Sequence, residues 1–469
     1  MGIGVRHITF ARMQSLVGTN PAQGQNRRSY KVKLKTWTAS IAALVLSTAP
    51  VFAVNDNVQW SDSLVRPASC DTGSCDPGCC DPVDCGDPCC GSGVSGGGLL
   101  SGIGGGCVEN FSLAGLLGID ECSCIEIGGW TQMGWTDNND GVFNTHPDHL
   151  DLQQQWFYFG KTVDGSNGLD LGGRVDFLYG TDASNTQAFG NDPGNWDYQN
   201  GWDRGVYGYA LPQAYVEAAY GDLSVKVGHF FTLLGYQVVP ATGNFFYSIP
   251  YTFNFSEAFT HTGVLTTYTG FEGWTFYNGW TLGWDTGYDQ STPIVGARGR
   301  GNSYLGGFSV DVTDDVNVTY INTFGDLGWI GDDDNAYTHS IVANCTLTDK
   351  LSYVFQSDMV DVQNSVNSLG GRYDTIGINQ YLFYTINDVV KSGARVEWWK
   401  ADGHSLYEMA YGLNIQLLDN LLMRPEYRYN WAPAGLPAVL PVVSTTGNST
   451  SVGDYTDQSI VGCDFILTF

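Results

Sequence analysis

Past residue 53 the chain is short of positive charge. Seven of its 21 lysines and arginines (Arg6, Arg12, Arg27, Arg28, Lys31, Lys33, Lys35) precede residue 54, where there is no acid, so the remainder carries 14 basic against 48 acidic residues, a net charge of −34. A nucleic-acid partner is excluded, because a phosphate backbone needs a basic stripe. Beyond the N-terminus no stretch supplies about 18 continuous apolar residues, so no helix spans a membrane, although strands could. The 61 glycines follow no Gly-X-Y period, and aromatics reach 13%. Collagen and generic disorder both fail as explanations.

The N-terminus has what the rest lacks. Lys31, Lys33 and Lys35 lead into an apolar run, roughly 37–46, and then into Val51-Phe52-Ala53. That order of cationic, apolar and small residues predicts an export signal over 1–53, cleaved after Ala53, with an extended n-region or an early start codon. The bland alternative, a buried helix, needs flanks that pack.

Residues 54–106 combine a Cys/Asp-rich segment with a glycine-rich linker. Cys70, Cys75, Cys79, Cys80, Cys85, Cys89 and Cys90 are spaced 5, 4, 1, 5, 4, 1, two turns of a ten-residue repeat. Adjacent cysteines fit zinc spacing poorly, and an exported chain favours disulfides. A disulfide staple, a metal site and an unstructured tether all stay open. The linker 91–106 contains Gly93-Val94-Ser95-Gly96-Gly97. This literal nucleophile-elbow string lacks the strand and helix that give it meaning. Residues 107–124, with the apolar patch 111–119, form a short periplasmic or plug segment.

From 125 to 469 one signal persists. Tyr407, Met409, Tyr411 and Leu413 alternate with Glu408, Ala410, Gly412 and Asn414, and Tyr427, Tyr429 and Trp431 alternate with Arg424, Glu426, Arg428 and Asn430. Such segments of 9 to 14 residues have the period of a strand, greasy on one face and polar on the other. Short connections at 164–168, 221–222, 270–272, 313–315, 348–350, 387–388 and 419–420 carry tight-turn residues. They alternate with longer ones at about 136–148, 180–209, 231–259, 289–302, 327–336, 362–370, 401–406 and 432–459. This alternation predicts sixteen strands, with both ends on the short-turn side.

A soluble sandwich would leave two edges to protect and no cause for the asymmetry of loop length. In a bilayer a sheet must close on itself and turn its apolar face outward. The fold class expected is therefore all-β, a single closed antiparallel transmembrane β-barrel of about 16 strands over 125–469. Trp130, Trp135, Trp156, Tyr158, Trp398, Trp399 and Trp431 fit interfacial girdles. Phe465, Leu467 and Phe469 would face lipid from the last strand.

Parity places Arg174, Asp176, Glu217, Lys226, Arg372, Asp374, Arg395, Glu397, Arg424, Glu426 and Arg428 on the lumen side as pore-lining candidates. They could set up a transverse field or simply neutralise wall carboxylates. Segment 231–259 is long, aromatic and poor in charge. It is expected to fold inward as a constriction, with Tyr236, Asn244, Tyr247 and Tyr251 at its core; an outer cap against a neighbouring subunit is the alternative. No cofactor and no metal are implied. Asp192, Asp197 and Asp203, Asp332 to Asp334, and the pair His146 and His149 read as solvated loop groups before they read as cation ligands.

Residues 211–269 resemble a family of outer-membrane β-barrel porins abundant in planctomycete bacteria. The matching elements are Gln213-Ala214-Tyr215-Val216, Val225-Lys226-Val227-Gly228-His229-Phe230, Gly235-Tyr236, Asn244, Phe246-Tyr247-Ser248 and His261-Thr262-Gly263, with His229 where an arginine is expected. The resemblance implies passive diffusion of small hydrophilic solutes or ions across the bacterial outer membrane, the N-terminal segment being periplasmic. It implies outer-membrane lipid, a homo-oligomer and the barrel assembly machinery as partners, the last through the C-terminal aromatic at Phe469. The competing reading is a structural or adhesive barrel whose Cys-rich arm cross-links or touches the cell wall. An enzyme is not expected, because His261, His339 and His404 have no companion motif.

Overall fold

The computed structural model describes residues 112–119, 125–139, 143–288, 301–328, 330, 336–363, 373–401, 403–433, 441–442, 450–451 and 457–469. The expected export signal, the cysteine block, the linker, Arg372 and Asp332 to Asp334 lie outside them. In segment 107–124 a single helical turn, Leu113–Leu116, is capped by the Ser112 side chain and buries none of its residues.

The alternating segments form β1 (Glu126–Thr136), β2 (Asp151–Lys161), β3 (Asp170–Gly180), β4 (Gly208–Tyr220), β5 (Leu223–Phe231) and β6 (Thr260–Phe271). They continue as β7 (Trp274–Thr281), β8 (Asn302–Thr313), β9 (Val316–Asp326), β10 (Ala336–Thr348), β11 (Leu351–Val362) and β12 (Tyr373–Thr385). Then come β13 (Val390–Ala401), β14 (His404–Leu418) and β15 (Leu421–Trp431), a two-residue ladder of β16 (Pro441–Val442) with β17 (Thr450–Ser451), and β18 (Gln458–Thr468). Strands β1 to β15 and β18 pair in sequence and close into one antiparallel barrel. Sixteen strands enclose the lumen, as the period predicts.

Closure is made by the last residues of the chain. β18 pairs with both β15 and β1, with Trp130 opposite Thr468 and Leu421 opposite Leu467. Phe469 and Gly129 exchange two backbone hydrogen bonds, of 2.9 and 3.0 Å. No free edge remains at the seam, which is what a sheet without water to pair with requires.

Parity sorts the side chains as expected. Val396, Met409, Tyr411, Tyr427, Phe465 and Leu467 are exposed on the outer surface, while Arg395, Glu397, Glu408, Arg424, Arg428 and Asp464 are buried inside. Three of the expected girdle tryptophans are corrected by the structure. Trp130, Trp156 and Trp399 are fully buried on the inner face, where Trp130 stacks on Trp156 at 4.6 Å and Trp399 donates to Ser256 Oγ at 2.9 Å. Tyr158 also faces in, beneath the Arg174 guanidinium. The parity is the same for both roles, so only the occupant of the lumen decides between them.

One loop is shorter than its polarity suggests. Between β13 and β14 only 402–403 remain, with Gly403 at φ 85°, a conformation that favours glycine. The polar residues of 404–406 belong to the strand.

Candidate functional site

The connection from β5 to β6 turns into the barrel and stays there. Every residue from Phe246 to Thr262 is buried. The segment has almost no charge of its own, so its main-chain groups must be satisfied by whatever it meets. It meets the charged inner wall of β13, β14, β15 and β18.

Each half of that wall holds the loop by its backbone. Arg395 on β13 donates through Nη1 to the Ser248 carbonyl (2.9 Å) and to Gln237 Oε1 (3.0 Å), and through Nη2 to Ser248 Oγ (2.9 Å). Arg424 on β15 donates to the carbonyls of Ala241 (3.0 Å) and Asn244 (2.6 Å), and Arg428 to that of Ile249 (2.7 Å). The carboxylates take the opposite polarity. Glu426 accepts from the N–H groups of Tyr247 (2.7 Å) and Ser248 (3.0 Å), and from the Ser248 hydroxyl. Glu397 accepts from the N–H groups of Tyr251 (2.7 Å) and Thr252 (2.6 Å), the donors left free at the start of the helical turn Tyr251–Ser256.

The same groups compensate one another. Glu397 and Glu408 face each other directly across β13 and β14, an arrangement that would repel if nothing intervened. Arg395 holds Glu408 through two bonds of 2.9 and 3.0 Å, Arg428 approaches it at 3.6 Å, and the loop amides occupy Glu397. Arg424 likewise forms a bidentate pair with Asp464, whose Oδ2 also accepts from Gln132. Buried charges of this kind are tolerable only when paired and fully hydrogen-bonded.

Small residues on the wall make room for the loop. A Cβ on Gly377 would lie 2.1 Å from Thr252 Oγ1, and one on Gly134 would lie 2.6 Å from the Tyr247 hydroxyl. That hydroxyl accepts from Gln153 at 2.8 Å, and Gln154 donates to the Val239 carbonyl at 2.9 Å. Of the other expected constriction residues, Asn244 bonds back to the Val238 main chain, Tyr236 lies against Tyr381 at 4.8 Å, and Tyr251 sits under Arg428. Burial pushes the phenols of Tyr236 and Tyr251 above their ordinary range. On the short-turn side of the loop a cavity of about 140 Å³ is lined by Tyr236, Asn244, Phe245, Lys391, Asn414 and Gln416, among others.

Strand order places β6 across the barrel from β14. On that far side part of the inner face is polar and half-buried, at Arg174, Tyr215, Glu217, Lys226, Tyr277, Ser309, Asn317 and Thr319, while Leu265, Leu305 and Ile321 are buried in one apolar cluster with Leu234 and Ala258 of the loop. Arg174 pairs with Asp176 at 2.6 Å, and Asp176 also accepts from Trp156 and Gln213. Glu217 and Lys226 are register partners, with Lys226 Nζ over the Tyr215 ring at 4.2 Å and Glu217 accepting from Ser224.

Asp374 is the exception among the described pore-lining candidates. It falls on the outward parity of β12, exposed, while Tyr373 and Thr375 beside it are buried inside. Its shared parity with Arg372 predicts an inward position for both. The structure corrects it for Asp374, because β12 begins at Tyr373 and alternates inward from there.

The remaining sequence candidates take structural roles. Asp197 accepts from the N–H groups of Ala188 and Leu211, and Asp203 from Gln187 and the Tyr209 N–H, so these carboxylates tie down the loop 181–207. No cluster of cation ligands occurs among the described residues. His146 bonds Thr145, His149 the Pro147 carbonyl, and His261, His339 and His404 stand on three separate strands. His229 is buried on the outer side of β5 under Trp196, with Nδ1 against Thr262 Oγ1 at 2.8 Å. Glu408 and Asp464, essential partners in the clamp, lie on polar faces that the alternation marks but does not rank.

Comparison with solved structures finds barrels of similar outline. The anion-selective porin from Comamonas acidovorans is 11% identical at a TM-score of 0.49, covering 74% of this chain and 99% of its own. The outer-membrane channel DcaP of Acinetobacter baumannii is 11% identical at 0.46, covering 74% and 97%. OmpT of Vibrio cholerae, in trimer form, is 12% identical at 0.45, covering 74% and 99%. Comparison with curated proteins finds no match. The family described as "Putative beta-barrel porin-2, OmpL-like" matches residues 124–469, the whole of the barrel, and the chain belongs to that family.

Proposed function

We propose that this outer-membrane barrel passes small hydrophilic solutes or ions by passive diffusion, past the clamped loop and along the polar part of its wall. The observation that carries the reading is the asymmetry of the lumen. The docked loop fills the clamped side and shares an apolar cluster with Leu265, Leu305 and Ile321 across from it, whereas the wall around Arg174, Tyr215, Lys226, Ser309 and Thr319 is polar and half-exposed. Tyr236, Asn244, Tyr247 and Tyr251 pack the loop that narrows the lumen, Arg174, Glu217 and Lys226 line the polar wall, and Arg395, Glu397, Arg424, Glu426 and Arg428 fix the loop in place. Catalysis has no role in this account.

The burial of the loop from Phe246 to Thr262 favours a second reading, a structural barrel with a closed lumen anchored by its cysteine-rich periplasmic arm. Liposome swelling separates the two. Proteoliposomes should swell in monosaccharides and more slowly as solute size grows. Shrunken liposomes that stay shrunken in every solute, with the barrel folded, would favour the closed barrel. The planctomycete affiliation, the homo-oligomer and the assembly signal at Phe469 belong to the same proposal.

A further inference from the structure

The two limbs of the loop meet the wall at one point, and two buried carboxyls sit there. Glu257, at the end of the helical turn Tyr251–Ser256, and Asp358, on β11, are both buried. A single nitrogen, Gln356 Nε2, donates to Glu257 Oε1 at 2.7 Å and to Asp358 Oδ2 at 2.5 Å. The two carboxyls therefore lie no farther apart than those two distances together. Glu257 Oε2 and Asp358 Oδ1 are buried without hydrogen bonds. The other limb passes alongside, where the Gly235 N–H donates to Ser340 Oγ and a Cβ on Gly235 would strike the Glu257 carboxyl.

Nothing around the pair supplies a compensating positive charge. β10 contributes only the Ser340 hydroxyl, β12 the Tyr381 phenol, β13 Glu397 and Arg395, and β14 Glu408. Arg395 is held by Glu408 and the Ser248 carbonyl, and Glu397 adds a further negative charge. Among the described residues neither Glu257 nor Asp358 forms an ion pair. Two ionised carboxylates this close in a water-poor site would repel strongly.

We propose that Glu257 and Asp358 share one proton while the loop is docked, making the root of the loop a proton-dependent latch. The arrangement is consistent with burial and the neighbouring Asp358 carboxyl, which push the Glu257 carboxyl well above the usual carboxylate range. The sign follows directly. A carboxyl whose docked-state affinity for protons is raised favours docking at low pH, and that contribution is lost as pH rises through the docked-state value. On loss of the proton to water in the lumen, the two charges part the loop root from β11, while the Arg395, Arg424 and Arg428 clamps at its tip keep hold.

The test has one readout that needs no channel. Infrared difference spectra of the folded barrel in detergent should show a protonated carboxyl band at pH 7 that titrates away at higher pH. Asp358→Asn and Glu257→Gln should each abolish that alkaline step. In planar bilayers the wild type should change conductance over the same pH interval, and either variant should lose the change. A spectrum without a protonated carboxyl at pH 7, or an alkaline step that persists in both variants, would overturn the latch. A folded barrel that shows the infrared step but never conducts would leave the latch standing and count against the diffusion reading on which its conductance readout rests.

Discussion

Arg424 and Asn244, 180 residues apart in the chain, are joined by a hydrogen bond of 2.6 Å from a guanidinium on the barrel wall to a main-chain carbonyl inside the lumen. The same guanidinium holds Asp464 on the closing strand. One side chain thus links the loop, β15 and the C-terminal strand. Removing one partner of a buried pair strands the other, at a cost of about 3–5 kcal/mol. Arg424→Ala should lower the temperature at which the barrel unfolds on a detergent gel and raise single-channel conductance, as the loop tip loses two carbonyl contacts. Unchanged conductance with a normal barrel would show that the loop tip is held without it.

A steric test reaches the same loop without altering charge. Gly377 faces Thr252 so closely that any Cβ would overlap its hydroxyl. Gly377→Val should displace the helical turn from Glu397 and cost about 1–3 kcal/mol. Amide exchange at Tyr251 and Thr252 should quicken while that of β13 does not. Equal protection in both proteins would mean that the turn has another seat.

The outer loop 181–207 should respond to pH through Asp197. Burial pushes this carboxyl up to about 7, against the pull of the Leu211 and Ala188 N–H groups. Because the folded-state value stands above the ordinary 3.8, its stabilising contribution is present below about pH 4 and is lost as pH rises through about 7. After correction for intrinsic rates, amides of this loop should exchange faster at pH 8 than at pH 5, and Asp197→Asn should flatten the difference. A loop that tightens as pH rises would reverse the assignment.

The barrel was legible in the sequence because a strand in lipid has a strict period of two and no freedom to hide its apolar face. Tyr407, Met409 and Tyr411 opposite Glu408, Ala410 and Gly412 fixed their faces before any contact was known. Period alone says which face a residue takes and nothing about what fills the space beyond. That is why Trp130, Trp156 and Trp399 were expected at the membrane surface and are found against the loop. It is also why the arginine ladder looked like pore lining. Its partners, the carbonyls of residues 241–249, lie some 180 positions upstream and carry no side-chain signature. The shared donor of Glu257 and Asp358 was invisible for the same reason, since only folding brings β11 and the loop root together.

Thiol chemistry tests the outer surface and the N-terminal arm together. Cys345 and Cys463 are free and half-buried, on the outward parity of β10 and β18. A lipophilic maleimide should label both in the folded barrel, and a membrane-impermeant one neither. Cysteines 70 to 90 should resist both reagents until reduction. Alkylation of that block in untreated cells would remove the disulfide staple from the account.

At the seam, Phe469 completes the pairing with Gly129 and packs its ring 5.6 Å from that of Phe157. Deleting Phe469 should sharply lower the fraction of heat-modifiable barrel recovered from outer membranes, without preventing refolding in detergent. Equal recovery would show that neither the seam nor an assembly signal depends on it.

Single-channel recording in planar bilayers, comparing the wild-type barrel with Arg424→Ala, bears most directly on a wet passage beside a clamped loop. Steady ohmic steps in the wild type, larger in the variant, are the result expected. A folded, heat-modifiable barrel that stays silent in both forms would contradict it.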